Sequence, residues 1–303
     1  MQPPKGMLLL STRIFKRQPG YVLNLRINQN NSYPCLRYKY NFGDCLYYKM
    51  DKSTVRLGLV ICDEPVAILQ EKYGPLCGFY ERFMAKAAAQ LGCRVEWDMF
   101  SVFTGASLPQ NVQDYSAFLI TGAKCCANDD LAWIRGTIGW IQEHWQRQSS
   151  RVPLIGICFG HQLLAKAFGG VVGRNPRGWE MGNVQVNLTR AGIEFFGQSS
   201  LRIQETHQDI VLTVPPGFTV LGSSELCAVQ LMLLKGKEAG WVLGIQGHPE
   251  MPANYIVELA EMRFDAGMLP KEIVEAVRLG QKERLDHDEI GLVIAQCILG
   301  NKV

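Results

Sequence analysis

One cysteine of this chain is framed by glycines two residues to either side. The stretch Gly156-Ile157-Cys158-Phe159-Gly160 follows the apolar run from Val152 and precedes a helix-forming segment. A nucleophile held at a sharp strand-to-helix turn has this form, because side chains two positions away would collide across the turn. The turn sets the sulfur at a helix N-terminus, where unpaired N–H groups and the helix dipole favour a thiolate. It also presents the N–H of Phe159 to an oxyanion. Most cysteines are simply small buried hydrophobes; here the glycine frame and its context favour a nucleophile.

A thiol nucleophile needs a base. Of the five histidines, His248 has the best setting, in Leu243-Gly244-Ile245-Gln246-Gly247-His248-Pro249-Glu250. An apolar strand ends in glycine, and the imidazole follows where strand ends present functional groups. Pro249 keeps His248 extended. Residues i and i+2 of an extended segment point the same way, so Glu250 is placed to orient the ring and stabilise imidazolium. His161, three residues after Cys158, is the rival base, although the helix after the elbow suits it better to a structural or pocket-edge role. His144, in a helix with Trp133, Trp140 and Trp145, and His287, in a charged turn, read as packing or surface residues. His207, in Glu205-Thr206-His207-Gln208-Asp209, is a candidate for the site rim.

The elements that must position these groups alternate from Val55 onward. Strands are predicted over 55–62, 94–98, 117–121 and 153–157, and helices over 77–91, 131–147 and 161–168. That order implies a mostly parallel sheet with helices on both faces. Short strands at 183–188, 201–205, 219–222, 227–233 and 241–245 read as antiparallel additions to the same domain. Helices follow at 253–266, at 271–283 after Pro270, and at 288–298 behind Asp288 as cap.

Composition bounds the rest. At 303 residues, 47% hydrophobic and 19% charged, the chain fits a globular α/β protein with no apolar run long enough to span a membrane. The net charge of +3 hides an asymmetry: residues 1–50 hold eight Lys/Arg against Asp44 alone, which leaves −4 for the remainder. A mildly acidic body does not suggest nucleic acid as a partner. The basic, Asn- and Tyr-rich front lacks strand or helix periodicity and reads as a disordered or non-native extension, with a targeting peptide as the alternative; the domain proper is expected over 51–303. Ten cysteines without a C-x-x-C pair, and no secretory signal, point away from structural zinc and towards the cytoplasm.

Gly-Ile-Cys-Phe-Gly-His-Gln at 156–162, Gly-His-Pro-Glu at 247–250 and Thr-His-Gln-Asp at 206–209 resemble the class I (triad) glutamine amidotransferase family. With Asn128-Asp129-Asp130 and Gly169-Gly170-x-Val172-Gly173-Arg174, the chain is most similar to the stand-alone branch that includes the plant γ-glutamyl peptidases. The resemblance covers roughly 55–300 with the motifs in family order. It implies a class I amidotransferase-like, flavodoxin-like α/β domain with Cys158 as nucleophile, His248 as base and Glu250 as its orienter. It further implies a second oxyanion N–H from Gly122 or Ala123, and help from Gln162, His207 and Gln208 in holding the glutamyl group. Ala123 and Lys124 depart from the Gly-Pro found in many members.

The implied chemistry is cysteine-dependent hydrolysis of a γ-glutamyl amide in glutamine, glutathione or a conjugate, through a glutamyl-thioester, with neither metal nor organic cofactor. Three alternatives stay open: a glutaminase subunit feeding ammonia to a separate synthetase, a non-catalytic relative, and a triad enzyme acting on another amide. The leaving-group side is expected from the loops 124–130 and 173–181, where Trp179 and Glu180 are candidates to touch substrate, with packing the commoner role for a loop Trp.

Overall fold

A computed structural model describes residues 54–146, 152–236 and 240–300, together with the backbone of two short strands ahead of them. In chain order these two are β1 (Tyr21–Leu23) and β2 (Tyr38–Tyr40), paired antiparallel. The rest of the extension expected over 1–50 lies outside the described residues. Then come β3 (Thr54–Ile61), α1 (Ala67–Tyr73), α2 (Leu76–Gln90), β4 (Arg94–Ser101), β5 (Ala117–Ile120) and α3 (Ala132–Gln146). The middle holds β6 (Leu154–Ile157), α4 (Phe159–Ala167), β7 (Val171–Arg174), β8 (Glu180–Leu188), α5 (Arg190–Phe196), β9 (Ser200–His207) and β10 (Asp209–Thr213). The chain closes with β11 (Thr219–Ser223), β12 (Leu231–Lys235), β13 (Trp241–Ile245), α6 (Ala253–Asp265), α7 (Lys271–Gly280) and α8 (His287–Ile298).

Nine strands form one sheet in the order β4-β3-β5-β6-β13-β12-β11-β8-β9. The first five run parallel. The remaining four extend the sheet antiparallel. A separate hairpin pairs β7 with β10. Helices cover both faces, so the central strands are apolar on both sides, as parallel strands must be. Leu57, Leu59 and Ile155 point into one cluster with Phe79, Ile256 and Ile294 of α2, α6 and α8. Val60, Phe118 and Leu154 point the other way, towards Ile134 and Ile141 of α3 and Leu163 and Leu164 of α4. Phe118 fills the space left by Gly58, where a Cβ would strike its ring.

The predicted elements appear in order, with local differences. The strand at 241–245, expected as an antiparallel addition, is β13 and runs parallel to β6, because it lies inside the parallel half of the sheet. The hairpin strands β7 and β10 have no sequence prediction. Asp286, not Asp288, is the N-cap of α8: it is tied to Arg202 of β9 through both its backbone N–H and its carboxylate, which starts the helix one residue earlier. Asp288 instead lies in the first turn, where its charge still suits the helix dipole, and it pairs with Lys86. The short helices α1 and α5 have no sequence prediction, since seven residues carry too little periodicity to show one. Thr189 starts α5 by accepting the N–H of Gly192 at 3.2 Å. No helix among the described residues is long and apolar enough to cross a membrane.

Ile120 of β5 stands level with Gly156 of β6, and Ile157 of β6 level with Ile245 of β13. The loops leaving these three neighbouring strands therefore start side by side at one sheet edge. They carry Gly122, Cys158 and His248.

Candidate active site

Cys158 has φ +52° and ψ −104°, and among the described residues it is the sole non-glycine with positive φ. Such a conformation costs about 1–3 kcal/mol and persists only where the surroundings enforce it. Enforcement comes from both flanking loops: the N–H of Cys158 donates to the Ile245 carbonyl at 2.8 Å, and that of Gly160 to the Thr121 carbonyl at 3.1 Å. The glycine frame is steric in origin. A Cβ at Gly156 would enter the backbone of Gly160, and one at Gly160 would enter the carbonyl of Ile120. The helix α4 begins directly after the cysteine, which is 6% exposed.

The imidazole of His248 and the side chain of Cys158 converge beside Gly122, and the ring's Nδ1 lies 2.8 Å from Oε1 of Glu250 on the other side. Burial pulls the ring's pKa down, yet the charges of Glu250 and Cys158 outweigh it and hold the pKa well above the ordinary histidine value. A Cβ on Gly122 would lie 2.9 Å from Cε1 of His248 and 3.6 Å from Cβ of Cys158, so all three loops meet at one point. The extended His248–Glu250 segment predicted from Pro249 is instead a tight turn, closed by the Met251 N–H on the His248 carbonyl at 3.3 Å. The turn still returns the carboxylate to the ring.

The other candidates are placed differently. The N–H of Gly122 donates to the hydroxyl of Tyr80 at 3.3 Å. Gln162 braces the site from behind, donating to the Asp209 carbonyl at 2.8 Å and to Oε1 of Gln246 at 3.2 Å, and so does not face an open pocket. Gln208 accepts from Arg174 at 2.5 Å. His207 is buried, not a rim residue, and Glu180 is buried beside it. His161 lies against Gly244, fully buried; burial lowers its pKa to about 3, too weak a base at neutral pH to compete with His248. His144 stacks on Trp140, and His287 is drawn inward to meet the N–H of Gln204.

Two residues escaped the sequence reading. Tyr80 of α2 is fully buried, with its hydroxyl beside the Glu250 carboxylate and in the field of Cys158. Arg263 of α6 sits over Trp179 at 4.5 Å and hydrogen-bonds Thr206 Oγ1. Burial lowers its pKa to about 10, while the Cys158 thiol and Tyr255 favour its charge. Tyr80 is sequence neighbour to the packing residue Phe79, and Arg263 shares a helix with Glu258 and Glu261. Their surroundings in sequence therefore read as core and as solvated surface.

Comparison with known proteins identifies a family and a fold. The glutamine amidotransferase class-I family model matches residues 80–254. A putative glutamine amidotransferase-like protein of Schizosaccharomyces pombe is 28% identical over 80% of this chain and 98% of its own length. Gamma-glutamyl peptidase 3 of Arabidopsis thaliana is 28% identical over 75% of the chain and 88% of its own. A glutamine-hydrolyzing GMP synthase subunit of Thermococcus kodakarensis is 40% identical over 38% of the chain and 59% of its own. Among solved structures, a glutamine amido transferase from Methylobacillus flagellatus superposes with a TM-score of 0.61 at 23% identity, covering 84% of this chain and 96% of that one. With more than half of its length matched by the family model, the chain belongs to the class-I glutamine amidotransferase family.

Proposed function

We propose that this chain is a cysteine hydrolase that cleaves γ-glutamyl amide bonds through a thioester on Cys158. The observation that carries the reading is the buried relay of thiol, imidazole and carboxylate at a strained elbow. In the first half-reaction the thiolate of Cys158 adds to the γ-carbonyl carbon, and the N–H of Phe159 receives the oxyanion. The N–H of Gly122 is turned to Tyr80, so the second donor of that loop falls to Ala123. His248 gives its proton to the leaving nitrogen as the C–N bond breaks, releasing the amine. In the second, the same imidazole takes a proton from water as water attacks the thioester, releasing glutamate and restoring the thiol. Glu250 keeps Nδ1 protonated throughout. Arg263 places a cation in the field of Cys158, suited to the α-carboxylate of the glutamyl group.

The test is to incubate the purified protein with glutamine, glutathione and a glutathione S-conjugate, following glutamate by mass spectrometry, with Cys158→Ala alongside. Release of glutamate by the wild-type chain and none by the variant is expected. Equal activity in the variant removes the thiol mechanism. A second reading, a glutaminase chain serving a separate synthetase, draws on the likeness to the GMP synthase subunits. Glutamine turnover without glutathione turnover favours it.

A further inference from the structure

We propose that Glu180, Glu205, His207 and Cys227 form a buried tetrahedral zinc site that ties together the strands behind the loop of His248.

The four side chains come from three separate stretches of chain. Glu180 opens β8 and stands directly opposite His207, the last residue of β9. Glu205 lies two residues before His207 in the same strand, so both project from one face. Cys227 arrives from the turn between β11 and β12, where its N–H donates to Ser224 Oγ at 3.0 Å. One ligand atom each from Glu180, His207 and Cys227 lies within 4.8 Å of the other two. None of the four residues is more than 3% exposed, which suits a closed structural site. With its ligands spread over three elements, the site needs no C-x-x-C pair, the spacing whose absence pointed away from zinc in the sequence.

The polar groups of this cluster lack partners in a way that calls for a cation. Nε2 of His207 stands 3.1 Å from Oε2 of Glu180 and 3.2 Å from Oε2 of Glu205, yet it makes a hydrogen bond with neither. The bond direction at Nε2 is fixed by the plane of the ring, and it misses both oxygens. Both oxygens of Glu205 are likewise buried without a hydrogen-bond partner. Among the described residues no lysine or arginine pairs with Glu180 or Glu205. Buried carboxylates left so are costly, and a bound ion is one of the few ways to offset them.

Zinc fits the donors and their spacing. Tetrahedral bonds of 2.0–2.1 Å to nitrogen and oxygen set those ligand atoms about 3.3 Å apart, close to the separations around Nε2. Nδ1 of His207 faces the Asp209 carbonyl at 3.2 Å, which keeps the hydrogen on Nδ1 and leaves Nε2 its lone pair. Glu180 is oriented by donors in turn, Ser224 on Oε1 and Gln230 at 2.7 Å on Oε2. A thiolate beside imidazole and carboxylate selects zinc over calcium or magnesium; on binding, the thiol proton leaves to solvent. The site backs the catalytic loop: a Cβ on Gly247 would lie 2.4 Å from Oε1 of Glu205, and the His248 N–H donates to the Gln204 carbonyl at 2.7 Å.

The test is metal analysis of the full-length protein, expressed in zinc-supplemented medium and purified without chelator. About one equivalent of zinc per chain is expected, and Cys158→Ala should keep it. After dialysis against a chelator that leaves the wild type loaded, His207→Gln and Cys227→Ser should each hold less than about 0.2 equivalent. Should those variants fail to fold, cobalt decides on the wild-type framework. Cobalt-loaded wild type and Cys158→Ala should both show tetrahedral d–d absorption with a thiolate-to-cobalt charge-transfer band. Less than about 0.1 equivalent of zinc in the folded wild type would overturn the proposal. Full zinc retention in either folded ligand variant would overturn it too, as would a cobalt spectrum without the thiolate band. None of these readouts depends on glutamate release, so failure of the γ-glutamyl reading leaves this one standing.

Discussion

Oε1 of Glu250 lies 2.8 Å from Nδ1 of His248, and the side chain of that carboxylate has no exposure to solvent. The pair is local in sequence, while Cys158 lies ninety residues away. In the proposed mechanism the carboxylate holds one tautomer and balances the charge on the ring as the proton leaves the sulfur. Glu250→Gln preserves shape and removes that charge. The expected result is a fall in kcat of about 10²–10⁴-fold with little change in KM, measured by glutamate release. A loss under threefold would show that the carboxylate is not needed.

The elbow makes a prediction about stability. Gly160→Ala drives a methyl into the Ile120 carbonyl, which backbone hydrogen bonds hold in place, so a loss above about 3 kcal/mol or failure to fold is expected in urea titration. Gly136→Ala, in exposed α3 with open space around its Cβ, should instead gain about 0.5–1 kcal/mol. Similar outcomes for both would refute the steric account.

Arg263→Gln tests the glutamyl pocket. The variant keeps a donor for Thr206 but loses the cation stacked on Trp179. We expect KM for γ-glutamyl substrates to rise about 10–100-fold, with a smaller effect on kcat. An unchanged KM would place the α-carboxylate elsewhere.

Acid should destabilise the fold through His161. Its pKa is about 3 when buried, against the ordinary 6.5, so between these values the unfolded chain binds the proton that the folded chain refuses. Stability is therefore full above pH 6.5 and declines as pH falls towards 3, by about 2 kcal/mol at pH 5. Urea titrations at pH 7 and pH 5 measure it. His161→Gln should lose that part of the slope, and an unchanged slope would show that the ring is not the group responsible.

Most of the framework is legible in the residue pattern. Leu57 and Leu59 against Val60, or Ile155 against Leu154, show the two-sided burial that marks parallel strands. Short elements are not legible: α1 and α5 span seven residues each, below the length at which helical periodicity stands out. Asp288 reads as a cap in the sequence because Asp286 gains its position only through β9, a contact no local pattern contains.

For the site, amino-acid order alone determined what is enforced over a few residues. Gly156, Cys158 and Gly160 are linked by steric exclusion within one turn, and His248 with Glu250 by a turn of four residues. Tertiary structure decided everything that depends on which distant surfaces meet. It turned Gly122 towards Tyr80, set Gln162 to bracing strands, drew Arg263 to Trp179, and moved His207 from an expected rim to a buried place between Glu180 and Glu205. The physical reason is that steric rules of a turn act at fixed spacing along the chain. Electrostatic partnership acts through space, and only the packed sheet brings those charges within range.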